Sequence, residues 1–171
     1  SFNLVWEKVC AEVMDNQLQK PIGGLRLPMP LAEQYRDMRH KKLIDLIDKP
    51  QWSGTAPNSE LFVKQAEDTL IPDLISIVNV DGNYQFIIFD AKYYNIQLEH
   101  NKKLRGQPGI ESITKQYLYQ LAYQPFVEAH QIGTVRNCFL MPTSSAEIVE
   151  KGTASLSMLS ELGLQDIQVR L

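Results

Sequence analysis

Two short stretches of the chain place acidic and basic side chains at the ends of apolar segments. Asp73 follows Pro72 at the start of a run rich in Ile, Leu and Val, and a single alanine separates Asp90 from Lys92 at the end of a second apolar run. Carboxylate oxygens are the ligands that Mg²⁺ prefers, and a neighbouring lysine supplies positive charge. These residue types could therefore hold a divalent metal ion and activate a water molecule.

The segments that carry these residues are predicted to be neighbouring antiparallel strands. The first covers about 70–80 and the second about 84–94, and an Asp-Gly pair between them is a strong signal for a tight hairpin. Because side chains alternate along a strand, Asp90 and Lys92 project from the same face. Neighbouring strands lie about 4.8 Å apart, so Asp73 on the partner strand could share an ion with Asp90.

Hydrophobic periodicity and chain breakers place the other elements around this hairpin. The predicted elements are helices over 2–14, 31–48, 110–130 and 146–162, strands over 61–63, 135–141 and 165–171, and loops over 51–60 and 95–109. Pro125 predicts a kink or break late in the third of these helices. Strands that alternate with helices in the second half imply parallel crossovers. The sequence therefore predicts an α/β fold with a mixed central sheet flanked by helices.

Composition excludes several functional classes. The chain has 171 residues, of which 44% are hydrophobic, and a net charge of −3, which argues against a generally basic protein that coats DNA. An enzyme that meets DNA through a local basic patch is still compatible with that charge. No apolar run is long enough to cross a membrane and no signal peptide is evident, so we expect a cytoplasmic protein with no membrane partner. Cys10 and Cys138 lack metal-ligand spacing and are expected to be buried, reduced thiols.

The Asp-Ala-Lys triplet is a weak signal by itself. An acidic residue two positions before a lysine is expected roughly once by chance in a chain of this composition. The alternative to a metal site is a structural ion pair between Asp90 and Lys92 at the end of a strand, with Asp73 as a turn or cap residue. Metal chemistry is favoured by the cost of leaving an unpaired aspartate on a buried strand. The residues alone leave both interpretations open.

Pro72-Asp73 together with Asp90-Ala91-Lys92 resembles the signature of the PD-(D/E)XK nuclease superfamily. The segment 70–141 is similar in its order of elements to the core of that superfamily. A finer similarity to LlaJI-type restriction endonucleases lies in Trp6-Glu7, in 89–94 and in 113–119. The resemblance implies a restriction-endonuclease-like core and hydrolysis of phosphodiester bonds in DNA.

The resemblance also implies roles for individual residues. Asp73 and Asp90 correspond to metal ligands, the carbonyl of Ala91 to a third ligand, and Lys92 to the catalytic lysine. Glu7 matches an acid of the first helix that often completes such sites, although an ordinary exposed glutamate would have the same spacing. The implied cofactor is Mg²⁺, with Mn²⁺ as a substitute.

The helix after the core strands carries polar residues that related nucleases place near the cleaved strand. Lys115 and Gln116 are adjacent and diverge by about 100° around a helix, so one of them is expected to face the site. We favour Gln116, because it shares a face with Gln120. A polar solvent-exposed face is the alternative for all three. A basic cluster in the preceding loop is also predicted to contact DNA: Lys102, Lys103 and Arg105.

Aromatic residues and histidines carry less functional information. Tyrosines near the site could stack on bases, but their strand and helix spacing favours core or core-edge positions: Tyr93, Tyr94, Tyr117, Tyr119 and Tyr123. The histidines lack metal-ligand spacing and receive no catalytic role: His40, His100 and His130.

The sequence therefore predicts a Mg²⁺-dependent DNA endonuclease domain of a restriction system, either type II-like or GTP-dependent and McrBC-like. Alternatives are a structure-selective repair or recombination nuclease and a non-catalytic nucleic-acid-binding module on the same fold. The resemblance implies a separate GTPase motor subunit, since no Walker motif occurs here, and a dimer or paired complexes for cutting both strands. We expect 1–171 to form a single nuclease domain, with 20–60 as an insertion, within a longer chain.

Overall fold

A five-stranded mixed sheet forms the centre of the computed structural model, which describes residues 1–171. The helices are α1 (Phe2–Val13), α2 (Ile110–Ala129) and α3 (Ser157–Ser160), with 3₁₀ turns at Ile22–Gly24, Glu33–Met38 and Leu43–Leu46. The strands are β1 (Gln51–Thr55), β2 (Leu61–Gln65), β3 (Leu74–Val80), β4 (Asn83–Ala91), β5 (Thr134–Leu140), β6 (Glu150–Ala154) and β7 (Ile167–Arg170). None of the helices is both long and apolar enough to cross a membrane.

The predicted hairpin joins β3 to β4. Asp81 and Gly82 have φ values of 53° and 87°, the positive values that a two-residue hairpin turn of type I′ requires. The strand order is β3-β4-β5-β7-β6, in which β5 runs parallel to both β4 and β7 while the outer pairs are antiparallel. The prediction of an α/β fold with a mixed sheet is confirmed.

Strict alternation along β4 gives the sheet two apolar faces. Phe86 and Ile88 belong to the core cluster that includes aromatic residues of α2. Ile87 and Phe89 belong to a second cluster that contains Cys10 of α1. Helices therefore cover both faces of the sheet, and the side chains at the end of β4 emerge between them.

The helix predicted over 31–48 is wrong. The chain there forms two short 3₁₀ turns, Glu33–Met38 and Leu43–Leu46. Pro21 and Lys42 pair in an isolated antiparallel bridge, which holds the middle of the segment extended and is incompatible with one continuous helix. Pairing with a distant part of the chain has overridden local helix propensity.

Two further predictions of local structure are wrong, and a third is wrong in part. Part of the predicted loop 51–60 is β1, which pairs with β2 in a separate two-stranded sheet. The predicted helix 146–162 contains β6 and the short α3, because Gly152 at φ 149° forms an irregular step where β6 pairs with β7. Helix α2 continues past Pro125 to Ala129, so the predicted alternative of a break is absent, and a kink stays a prediction.

The segment 20–60 is anchored to the core through His130, which follows α2. The His130 side chain is fully buried, and its Nε2 accepts a hydrogen bond of 3.0 Å from the backbone N–H of Ala32. The proton must therefore sit on Nδ1, which lies 2.7 Å from the carbonyl oxygen of Phe126. The imidazole thus joins the end of α2 to the irregular segment, in its neutral form.

We expect His130→Ala to destabilise the fold by about 2–4 kcal/mol, because it leaves the Ala32 N–H without a partner and opens a cavity beside Phe126. Urea unfolding at pH 7.5 measures this loss. His100→Ala, at an exposed turn, serves as the control and should change stability by less than about 0.5 kcal/mol. Equal stabilities of the two variants would contradict the anchoring role of His130.

Candidate active site

Asp73 and Asp90 lie across from each other at one end of the β3–β4 hairpin. Leu74 pairs with Phe89, and extending this register by one residue sets Asp73 opposite Asp90. Asp73 directly precedes β3, so the prediction that it lies within the strand is wrong. The prediction that it neighbours Asp90 is correct. Its Oδ2 accepts a hydrogen bond of 2.9 Å from the backbone N–H of Ala91, which fixes the carboxylate against β4.

Asp90 is buried, and the positive charge beside it is too small to offset the cost of burying its carboxylate. It is only 6% exposed, and Lys92 Nζ lies 2.8 Å from its Oδ1. Oδ1 is closed off from solvent, and Lys92 is the cation that it contacts. Burial raises the pKa of Asp90 to about 7; Lys92 opposes this rise and the Asp73 carboxylate adds to it. The site is therefore short of positive charge.

Lys92 is a protonated partner of the two carboxylates. Burial lowers the pKa of its amine, but the neighbouring Asp90 and Asp73 raise it by more, and the net shift is upward. Its side chain is still 25% exposed, so the ammonium group reaches solvent. A lysine in this state is suited to orient a water molecule or to offset charge on a phosphate rather than to remove a proton.

Helix α1 packs on one face of the sheet and brings Glu7 within electrostatic range of these groups. Trp6 Nε1 donates a hydrogen bond of 3.1 Å to the carbonyl oxygen of Leu140 in β5, which holds the helix in place. Burial raises the pKa of Glu7, and the charge of Asp73 raises it further while Lys92 lowers it. Glu7 is thus in electrostatic contact with the site, and its catalytic role stays a prediction.

The carboxylate pair fits a divalent metal ion that keeps most of its water. No group of three or more His, Cys, Asp or Glu side chains is close enough to hold a metal, so the protein would supply two carboxylates. Mg²⁺ is commonly bound by one or two carboxylates with several waters. The Asp90 carboxylate, which contacts Lys92 through Oδ1, would offer it an oxygen. The backbone N–H of Ala91 serves Asp73, and a ligand role for the Ala91 carbonyl stays a prediction.

Gln116 and Gln120 lie inside the protein, which corrects the expectation that they reach DNA. Gln116 is fully buried, and its Nε2 donates hydrogen bonds to the carbonyl oxygens of Ile88 at 3.3 Å and Cys138 at 3.2 Å. Gln120 Oε1 accepts a hydrogen bond of 3.1 Å from Asn137 Nδ2. The two residues do share a face of α2, but that face packs on the sheet and secures β4 against β5.

The basic residues expected to contact DNA all reach solvent: Lys102, Lys103, Arg105 and Lys115. Lys102 pairs with Glu99 at 2.8 Å, and Lys115 pairs with Glu111 at 2.6 Å. The first three lie in the loop that leads from β4 to α2, a short distance in sequence beyond Lys92. Their exposure leaves them available to a phosphate backbone, and DNA contact stays a prediction for all four.

Comparison with known proteins connects this geometry with a family. Residues 33–168 match the family described as LlaJI restriction endonuclease. The chain belongs to the LlaJI restriction endonuclease family. The mixed sheet flanked by helices agrees with the restriction-endonuclease-like core expected for this family.

A curated relative of this LlaJI-family chain is a component of a restriction enzyme. The chain is 32% identical over 145 residues to the type II restriction enzyme BsuMI component YdjA of Bacillus subtilis (strain 168). The alignment covers 85% of this chain and 25% of the relative, so the chain spans about a quarter of the relative's length. No solved structure matches. The family and the relative are both named for restriction enzymes.

The raised pKa of Asp90 predicts a pH-dependent stability. In the unfolded chain, the pKa of Asp90 is about 3.9. Below that pH, protonated Asp90 makes its full contribution to the stability of the fold, and this contribution is lost as the pH rises through the folded-state pKa of about 7. Asp90→Asn cannot ionise, so we expect its stability relative to the native protein to increase by roughly 2–4 kcal/mol between pH 4.5 and pH 8 without metal.

Urea unfolding in EDTA at the two pH values measures this change. Asp37→Asn, at an exposed position, is the matched control, and its stability relative to the native protein should be the same at both pH values. If the stability difference between Asp90→Asn and the native protein does not change with pH, burial does not disfavour the charged form of the Asp90 carboxylate.

Proposed function

We propose that the chain is the Mg²⁺-dependent DNA endonuclease domain of a restriction system. The observation that carries this proposal is the convergence of Asp73, Asp90 and Lys92 at one end of the hairpin, where the Asp90 carboxylate is buried. Two carboxylates against one ammonium group leave a net negative charge when all three are ionised. A divalent cation would neutralise that charge and activate a bound water molecule.

The proposed mechanism assigns a task to each residue. Asp73 and Asp90 would hold the ion, which when bound supplies Lewis acidity and a more acidic water molecule. Lys92 orients the attacking water and offsets the negative charge that grows on the phosphate. Water oxygen forms the new bond to phosphorus as the bond to the leaving oxygen of the sugar breaks. Glu7 shapes the electrostatic environment from α1.

DNA is proposed to approach the side on which Lys92 is exposed. The basic loop that follows β4 would contact backbone phosphates near the cleaved bond, a sequence-independent contribution that falls with rising salt. The buried Gln116 would act by keeping β4 and β5 in register beneath the site, and the buried Gln120 by joining β5 to Gln165, which precedes β7. The exposed Lys115 would add a phosphate contact from the start of α2.

The remaining partners are also proposals. The relative is named as a component of a type II restriction enzyme, and on that basis we propose that this protein acts with other polypeptides. A separate GTPase motor subunit, as in McrBC-like systems, and paired nuclease sites for cutting both strands would follow from the same organisation. Mn²⁺ should replace Mg²⁺, because it accepts the same oxygen ligands.

We expect Asp90→Asn and Lys92→Met to reduce cleavage of phage DNA by at least about 10³-fold in the full chain assembled with its restriction partners. Both variants should remain folded, since each removes a charge without a large change in volume. Plating efficiency of phage on cells that carry the system gives a second readout that does not require the recognition sequence to be known.

The Lys20–Asp15 pair offers a matched control, because Lys20→Met also removes a lysine that contacts an aspartate, at 3.1 Å and outside the site. Cleavage by that variant should equal that of the native protein. Residual activity near the native level in Asp90→Asn or Lys92→Met would overturn the assignment. Selective cleavage of flaps or junctions would favour a repair nuclease, and metal-independent DNA binding without cleavage would favour a non-catalytic module.

A further inference from the structure

The backbone that carries Asp73 lies outside the regular hydrogen bonding of the sheet. Strand β3 begins at Leu74, and the residues between β2 and β3 form no helix or strand. The Asp73 carboxylate is held from one side by the N–H of Ala91. A second restraint is needed upstream, because a metal ligand whose main chain can move does not keep its distance from a partner ligand.

Tyr119 of α2 supplies that second restraint. Its hydroxyl donates a hydrogen bond of 2.9 Å to the carbonyl oxygen of Ile71, two residues before Asp73. The side chain is only 6% exposed and belongs to the core beneath the sheet. Pro72 lies between Ile71 and Asp73; it is buried, and its ring restricts the backbone. The link from Tyr119 to Asp73 is therefore short and stiff.

The Tyr119 hydroxyl lies within electrostatic range of the carboxylate pair. Burial raises the pKa of Tyr119 well above its usual value, and the charges of Asp90 and Asp73 add to the rise. The phenol therefore stays protonated and remains a donor at any pH at which the protein works. The helical spacing of Tyr119 predicts a core or core-edge position, and no pattern in the chain distinguishes it from the other tyrosines of α2.

We propose that Tyr119 is a positioning residue that fixes Asp73 for metal binding by holding the Ile71 carbonyl. The inference rests on the proposed function, since it names a residue that prepares that same metal site. Tyr119 does not touch the ion itself; it acts through the main chain of Ile71 and Pro72. Removing its hydroxyl should leave the fold intact and release the upstream end of the segment that bears Asp73.

Tyr123 provides a matched control on the same helix. It is 1% exposed, and its hydroxyl donates a hydrogen bond of 3.0 Å to the carbonyl oxygen of Leu43. Leu43 lies in the irregular segment 20–60 and is far in sequence from both carboxylates. Tyr119→Phe and Tyr123→Phe thus each remove one buried tyrosine–carbonyl hydrogen bond and keep the ring. The two changes should lower the urea midpoint by similar amounts and differ only in their effect on metal affinity.

The test is calorimetric titration of Mn²⁺ into the full chain at pH 8, with urea unfolding as a check of the fold. We expect Tyr119→Phe to weaken Mn²⁺ affinity by about tenfold, the scale typical of residues that orient metal ligands. Tyr123→Phe should bind within about twofold of the native protein. Native affinity in Tyr119→Phe, or an equal loss in both variants, would overturn the positioning role.

Asp90→Asn separates this inference from the proposed function. Mn²⁺ binding that disappears in Asp90→Asn while Tyr119→Phe binds as the native protein does would remove Tyr119 from the account and leave the metal site standing. Binding that is unaffected by Asp90→Asn would overturn both the site and the positioning role that depends on it. A loss in Asp90→Asn with a selective, partial loss in Tyr119→Phe supports both.

Discussion

The structure depends on two carboxylates held side by side where water has limited access. Asp90 is buried, Asp73 is tied against the same strand, and the only cation in direct contact is Lys92. Desolvation and like-charge repulsion both oppose ionisation of Asp90, which is why its pKa rises to about 7 in the absence of metal. A fold that keeps such a pair forgoes stability, and binding of the proposed divalent cation would restore it.

The surrounding elements make this unfavourable arrangement possible. The tight hairpin sets the register that brings Asp73 and Asp90 opposite each other. The buried Gln116 of α2 joins the neighbouring parallel strands β4 and β5, and Trp6 ties α1 to the backbone of β5. These restraints act on the backbone next to the site, while the Ala91 N–H holds Asp73 Oδ2 and Lys92 pairs with Asp90 Oδ1. Preorganisation of this kind is what a metal-dependent hydrolase requires.

Local signals in the sequence were sufficient where they determine geometry directly. The Asp-Gly turn and the alternation along β4 gave the hairpin, both apolar faces and the pairing of Asp73 with Asp90. Signals that depend on distant partners failed: the bridge from Pro21 to Lys42 replaced a predicted helix, and pairing with β7 replaced another. Periodicity also grouped Gln116 with Gln120 correctly, but it cannot tell which face of a helix points inward.

The central claim is that Asp73 and Asp90 together bind one divalent cation, and crystals soaked with Mn²⁺ test it most directly. Anomalous scattering locates Mn²⁺ without reference to activity or to an identified DNA sequence. The account predicts one strong peak about 2.0–2.3 Å from an oxygen of each carboxylate, with Lys92 nearby but not coordinated. Crystals that diffract well and show no peak there, with the contact between Lys92 and Asp90 intact, would contradict it and leave a structural ion pair.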